Sequence, residues 1–286
     1  MMNKHITIGL FAAFFLCSCG GYNKILKSAD YEYKYEAAKE YYARGKYVKS
    51  ATLLEELISI LKGTDKAEES LYMLGMCYFG QGDYETASHY FTTYYKNYPQ
   101  GIYAEEARFY CGKTLYCSAP EPRLDQTSTY KAIGELQLFM EYYPNSKRIK
   151  EVNQMLYDLQ DNLVKKEFAA AKLYYDLGSY IGNSLSGGNN YASCILTAQN
   201  ALKDYPYTTL REELSMLILR AKYQMALQSI DAKKLERLRD ARDEYYAFKN
   251  EYPESQFMEE ADKIIKDVNK KVEKNGGEDV SEKEKE

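Results

Sequence analysis

The 286-residue chain carries 42 acidic residues against 38 lysines and arginines, a net charge of -4 at pH 7. This balance argues against nucleic acid as a partner, because nucleic-acid binding depends on clustered positive charge. Of the two histidines, only His89 lies outside the amino-terminal leader, so the body of the chain cannot assemble a histidine-based triad or a multi-histidine zinc site. We therefore predict neither metal, nor cofactor, nor catalytic centre.

The chain opens with a short apolar leader. Lys4 and His5 precede an apolar stretch from Ile6 to Leu16, which is too short to span a bilayer as a helix. A basic start followed by a short apolar stretch is typical of secretory signals. We predict a signal peptide over residues 1–18.

The leader ends in the sequence Leu-Cys-Ser-Cys-Gly over residues 16–20, which resembles a bacterial lipobox. Cys19 is the predicted lipidated residue, because the small Ser18 stands immediately before it. Cys17 fits less well, since bulky Leu16 would stand next to the cleavage site. More than one acyl chain anchors a protein stably in a membrane. Gly20, where an aspartate would favour retention at the inner membrane, predicts an outer-membrane lipoprotein whose body faces the periplasm, joined to its anchor by a tether over residues 19–28.

A Tyr-Pro pair then recurs four times, each time closing an amphipathic segment: Tyr98-Pro99, Tyr143-Pro144, Tyr205-Pro206 and Tyr252-Pro253. The clearest copy runs from Glu68 to Pro99 and resembles a tetratricopeptide repeat through Leu74, Gly75, Tyr78, Gly82, Tyr84, Ala87, Phe91 and Pro99. Small residues permit close approach of two helices, and proline stops the second.

Looser copies of this repeat occupy the rest of the chain, with polar insertions at Cys117–Thr129 and Ile181–Asn190. A fifth helix pair is predicted at about Thr209–Ser229 and Ala232–Tyr252, and a capping helix at about Phe257–Glu273. The sequence thus predicts an all-α tetratricopeptide-repeat solenoid of about five helix pairs and a cap, forming one domain over residues 29–273. The charged residues 274–286 are predicted to be disordered.

Two further residue sets invite a chemical interpretation. Four cysteines lack metal-binding spacing and are predicted to be buried free thiols, with a disulfide left open: Cys77, Cys111, Cys117 and Cys194. Four acid pairs are interpreted mostly as solvated helix starts rather than a glycosidase centre: Glu55-Glu56, Glu105-Glu106, Glu212-Glu213 and Glu259-Glu260.

The first helices of the repeats carry an aromatic–lysine–aromatic stripe. One repeat position holds Tyr35, Tyr72, Phe109 and Phe168, and the position seven residues later holds Tyr42, Phe79, Tyr116 and Tyr175. Between them stand Lys39, Lys113 and Lys172, with Met76 in the second repeat. Residues at this spacing share a helix face, which predicts a groove for an aromatic-rich peptide that ends in a carboxylate. The alternative is that the aromatic rings only pack helix against helix.

Beyond the repeat itself, the chain resembles the BamD family of outer-membrane β-barrel assembly lipoproteins in its lipobox, its short tether and its five repeats, four of which end in Tyr-Pro. The resemblance covers about residues 19–265 and is strongest at Tyr31–Ala51, Ala132–Ser146, Lys165–Gly178 and Asn200–Pro206. It implies a non-enzymatic scaffold that binds the POTRA region of a BamA-like barrel protein and receives unfolded outer-membrane protein precursors. In such a scaffold the amino-terminal repeats bind precursors and the carboxy-terminal repeats bind BamA.

Two other functions fit the same features. One is a periplasmic repeat adaptor for peptidoglycan synthesis or cell division. The other is a glycan-binding lipoprotein that partners an outer-membrane transporter, although the chain has no tryptophan to stack on sugars.

Overall fold

The structure is a computed structural model that describes residues 21–180 and 189–283, with side chains up to Lys274. The predicted signal peptide, Cys19 and most of the insertion predicted at Ile181–Asn190 lie outside the described residues. Within them the chain is helical, without strands, which confirms the predicted all-α repeat class. The helices are α1 Tyr31–Ala43, α2 Tyr47–Ile60, α3 Lys66–Gln81, α4 Tyr84–Asn97, α5 Ala104–Cys117, α6 Thr127–Tyr142, α7 Ile149–Leu177, α8 Asn190–Asp204, α9 Arg211–Leu227, α10 Asp231–Glu251 and α11 Met258–Lys283.

The predicted single domain over 29–273 divides into two compact units. Of the described residues, the first unit contains those up to Pro120 and Gln126–Leu156, and the second contains Glu121–Asp125 and those from Tyr157 onward. In each unit the core forms between helices that are neighbours in sequence. Such nearest-neighbour packing is typical of helical repeats.

The four Tyr-Pro pairs end their helices in one backbone conformation. The capping tyrosines have φ between -127° and -131° and ψ between 59° and 68°, and each N–H donates to the carbonyl oxygen four residues earlier. The ring of the following proline disfavours the helical conformation for the residue before it, and the proline has no N–H to continue the ladder. The repeated dipeptide is therefore a repeated helix stop.

After two of these stops, a serine three positions beyond the tyrosine joins consecutive repeats. Ser146 Oγ donates to Glu105 Oε1 on α5 at 2.6 Å and accepts the N–H of Arg148 at 3.1 Å. Ser255 makes the matching contacts with Glu212 and with the N–H of Phe257. These acids were predicted to be solvated helix starts, but the structure places them in contacts between repeats.

We expect Ser146→Ala to lower the free energy of unfolding by about 1 to 2 kcal/mol, because it removes a hydrogen bond to a carboxylate and the acceptor for a backbone N–H. Urea denaturation followed by circular dichroism measures this. The control is Ser118→Ala, since the exposed Ser118 donates to Leu115 on its own helix. Equal free energies of unfolding for both variants would show that the hydroxyl of Ser146 contributes nothing to stability.

The segment before α1 differs from the predicted tether. Residues 21–26 are helical, and Tyr22, Ile25 and Leu26 pack against the core of the first repeat. The ring of Tyr22 also meets that of Tyr41 edge-on at 5.6 Å. Apolar side chains three and four residues apart form one helical face, which explains why this part of residues 19–28 is not a free tether.

The carboxy-terminal end also differs from prediction. Helix α11 continues to Lys283, although disorder was predicted from residue 274. Its first half is docked through Ala261, Ile264 and Val268. A docked helix adds one hydrogen bond for each further residue, and the glutamates and lysines on both sides favour helix, so the helix continues through Asn275, Gly276 and Gly277.

Candidate peptide-binding site

A cavity of about 570 Å³ opens in the first unit between α1, α3 and the turn before α5. We call it the N-terminal cavity. It is lined by Glu36, Lys39, Glu40, Tyr42, Ala43, Glu69, Tyr72, Met73 and Tyr103. Pockets of this size are common for ligands of the size of a few side chains. Of the twelve predicted groove residues, the cavity brings together Lys39, Tyr42 and Tyr72.

Helix periodicity sets the composition of the cavity wall. Along α1, Glu36, Lys39, Glu40 and Ala43 follow one another at the three- and four-residue spacings of a helical turn, so they lie on one face of the helix. On α3, Glu69 and Tyr72 are three residues apart and form the facing wall. The wall of the cavity therefore contains both aromatic and charged side chains.

The aromatic part of the wall is rigidly packed. The rings of Tyr72 and Tyr103 stack at 4.4 Å with an interplanar angle of 4°, and Tyr94 meets Tyr72 edge-on at 5.9 Å. Burial raises the pKa of Tyr42 to about 12 and also raises that of Tyr72. Both phenols are therefore neutral throughout the physiological pH range.

The charged part of the wall is dominated by carboxylates. Lys39 Nζ lies 3.1 Å from Glu69 Oε1, and the hydroxyl of Tyr35 also donates to Glu69. Burial of Glu69 works in the opposite direction, but the hydrogen bonds from Tyr35 and Lys39 hold the pKa of its carboxyl below the ordinary value. Glu69 is thus charged, and it already binds the one ammonium group found among the described residues that line the cavity.

Two predicted groove residues are core residues instead. Tyr35 is 2% exposed and Phe109 is fully buried. The guanidinium of Arg148 lies 4.3 Å from the centre of the Phe109 ring and bonds to both oxygens of Glu106. Both rings are covered by neighbouring helices and present no surface to a ligand.

The predicted lysines are also not free cationic points. Lys113 pairs with Glu151 at 2.8 Å in the first unit, and Lys172 pairs with Asp176 at 3.3 Å in the second. Lys39 pairs with Glu69, as described above. The stripe was predicted to offer cations to a terminal carboxylate, but a carboxylate of the chain already bonds to each lysine.

The remaining predicted residues are half-buried and lie outside the N-terminal cavity. Phe79 meets Tyr110 edge-on at 5.2 Å in the first unit, whereas Tyr175 meets Tyr191 at 5.8 Å and Phe168 packs on the core of the second. The others are Met76 and Tyr116.

Sequence reasoning missed Glu36, Glu40, Glu69 and Tyr103. The acids on α1 could have been found from their spacing around Lys39. Tyr103 could not, because it reaches the cavity through the turn that follows a Tyr-Pro stop. That turn is fixed by tertiary contacts, including an N–H of Tyr103 that donates to the hydroxyl of Tyr94 at 3.0 Å.

The four cysteines of the body are free thiols. Cys77, Cys111 and Cys194 are buried as predicted, but Cys117 is exposed at the end of α5. Burial raises the pKa of Cys77 and Cys111 to about 11, which leaves both thiols protonated and unreactive.

Among the residues with described side chains, no group of His, Cys, Asp and Glu is placed to hold a metal ion. Within the same part of the chain, no helix combines the length and apolarity needed to cross a bilayer.

Comparisons with known proteins show the family to which the chain belongs. No curated protein matches it. Among solved structures, it is similar to a variant of a Podosopora anserina protein described as a kinesin light chain with nearly identical TPR-like repeats; the match has 12% identity, a TM-score of 0.31, and covers 78% of this chain and 95% of the other. So low a TM-score carries no argument. The model of the family YfiO, an outer membrane lipoprotein, matches residues 28–234, which is most of the helical body. This chain therefore belongs to the YfiO family of outer membrane lipoproteins, the BamD family that its repeats and lipobox resemble.

Proposed function

We propose that this protein is a non-enzymatic scaffold of the outer-membrane β-barrel assembly machinery. It binds a BamA-like barrel protein through that protein's POTRA domains and helps receive unfolded outer-membrane protein precursors. It is anchored to the outer membrane through a lipid on Cys19, with its body in the periplasm. The observation that carries this proposal is the family match over residues 28–234.

Two features of the structure support a binding role. The N-terminal cavity offers stacked tyrosines and charged side chains to an extended peptide, and aromatic side chains contribute strongly at interfaces. At least one acid of each predicted acid pair bonds to another part of the fold, as with Glu106 to Arg148 and Glu260 to Arg220. Glu106 and Glu260 therefore stabilise the packing of neighbouring helices.

The test is to purify the tagged, lipidated chain from gently solubilised outer membranes and to identify the co-purifying proteins by mass spectrometry. We expect an abundant barrel protein with POTRA domains. Division or peptidoglycan-synthesis proteins without it would favour the adaptor function instead. A TonB-dependent transporter without it would favour the glycan-binding function.

The matched controls are Cys19→Ala and Cys17→Ala. The first variant cannot be acylated at the predicted position and is expected to leave the outer-membrane fraction, because the signal for stable attachment is lost. The second is expected to fractionate like the unmodified chain. The reverse result would place the lipid on Cys17.

A further inference from the structure

The N-terminal cavity carries more negative than positive charge. Three carboxylates line it, those of Glu36, Glu40 and Glu69, against the single ammonium of Lys39. Lys39 is bonded to Glu69, and Glu40 is paired with Arg44 one turn later on α1. Glu36 is exposed and has no ion-pair partner among the residues with described side chains. Lys66 lies close enough to Glu36 to feel its charge, but Lys66 is bonded to Glu32. Four carboxylates, those of Glu32, Glu36, Glu40 and Glu69, thus face the three cationic groups of Lys39, Arg44 and Lys66, and the wall stays net negative.

The same wall carries three tyrosine rings. The stacked pair of Tyr72 and Tyr103 and the half-buried ring of Tyr42 lie beside these carboxylates. A ring face attracts a cation, and the protein already uses this contact nearby, where Lys39 and Lys66 lie 5.2 and 5.3 Å from the centre of the Tyr35 ring. Carboxylates beside tyrosine rings are a chemical environment that suits a positively charged side chain.

We propose that the N-terminal cavity binds an extended peptide segment through a lysine or arginine next to an aromatic residue, and not through a terminal carboxylate. This rests on the proposed function, because the peptide is a segment of an unfolded precursor. Charge complementarity decides the occupant. An incoming carboxylate would meet a net negative wall whose one lysine is bonded to Glu69, whereas an incoming cation would meet the carboxylate of Glu36, which has no ion-pair partner among the described residues.

The first experiment measures binding of labelled ten-residue peptides to the full-length, detergent-solubilised protein by fluorescence anisotropy. The peptides share one aromatic pair and carry arginine, norleucine or glutamate beside it, each with a free or an amidated carboxy terminus. We expect the arginine peptide to bind about 10-fold more tightly than the glutamate peptide at low salt, and the preference to shrink at high ionic strength. Amidation is expected to leave affinity unchanged or to raise it.

The second experiment uses variants of the wall. The double variant Glu36→Gln and Glu40→Gln is expected to weaken binding of the arginine peptide by about 5-fold while leaving the norleucine peptide within about twofold. The control is Glu141→Gln, which changes an exposed acid of α6 outside the cavity. Circular dichroism checks that all variants are folded.

Three outcomes would overturn the proposal: equal or tighter binding of the glutamate peptide, a requirement for the free carboxy terminus, or no peptide binding at all. None of these depends on whether the chain co-purifies with a POTRA-containing barrel. The failure of this inference is therefore distinguishable from the failure of the proposed function.

Discussion

Replacing Phe109 by alanine is expected to lower the free energy of unfolding by about 3 to 5 kcal/mol, the usual cost of removing a large aromatic side chain from a packed core. The ring is fully buried and meets Phe139 and Tyr110 edge-on, at 5.8 and 5.3 Å between ring centres. It also supports the guanidinium of Arg148 at 4.3 Å. Alanine would leave a void and take away the surface on which that arginine lies.

Urea denaturation of the purified body of the protein, followed by circular dichroism, measures this loss. The control is Tyr130→Ala, which removes an aromatic ring that is 60% exposed on α6 of the same unit and is expected to change stability by no more than about 0.5 kcal/mol. The comparison separates the two interpretations of the aromatic stripe. If Phe109→Ala were as stable as the control and lost peptide binding instead, this ring would be a groove residue after all.

Replacing Gly75 by valine is expected to destabilise the protein by about 2 to 4 kcal/mol, because the added atoms overfill a close helix contact. A Cβ at this position on α3 would lie 2.8 Å from one ring carbon of Phe91 and 2.9 Å from another. Phe91 is fully buried on α4 and cannot move aside without disturbing the core. The sequence predicted that a small residue here permits the approach of two helices, and these distances give the reason.

The matched control is Gly134→Ala. Gly134 lies within α6, and a Cβ there would meet nothing within 4 Å. Alanine is the better helix former, so this variant is expected to gain about 0.5 to 1 kcal/mol. Thermal or urea unfolding measures the stability of both variants. If both substitutions changed stability equally, helix propensity alone would account for the effect, and the contact with Phe91 would be unimportant.

The repeat pattern was predictable from sequence because it depends on local chemistry. Proline acts on the residue before it, so each Tyr-Pro pair fixes a helix end wherever it occurs. The length of α7 was not predictable in the same way. The sequence indicated helix near Lys165–Gly178, but α7 already begins at Ile149, just after a Tyr-Pro turn, and no breaker separates the two stretches.

The candidate site was predictable only in part. Repeat spacing identified Lys39, Tyr42 and Tyr72, because residues seven apart share a helix face. The same spacing placed Tyr35 with them, although α3 covers it: its hydroxyl bonds to Glu69 and its ring is 2% exposed. Spacing along one helix gives a face, but the neighbouring helix decides how much of that face remains open. The negative charge of the site was not predicted for the same reason, because Glu69, which pairs with Lys39, lies on another helix.

If the lipid is on Cys19, as proposed, the docking of residues 21–26 onto the first repeat limits how far the body can move from that lipid. Tyr22 already contacts the body, so only three residue steps separate it from the proposed acylation position, a reach of about 10 Å when fully extended. With so short a connection, the proposed anchor would hold the first repeat in a thin layer at the membrane surface. The effective concentration of the first repeat toward the proposed membrane-embedded partner would be correspondingly high, so that a weak contact with this partner would suffice for stable association.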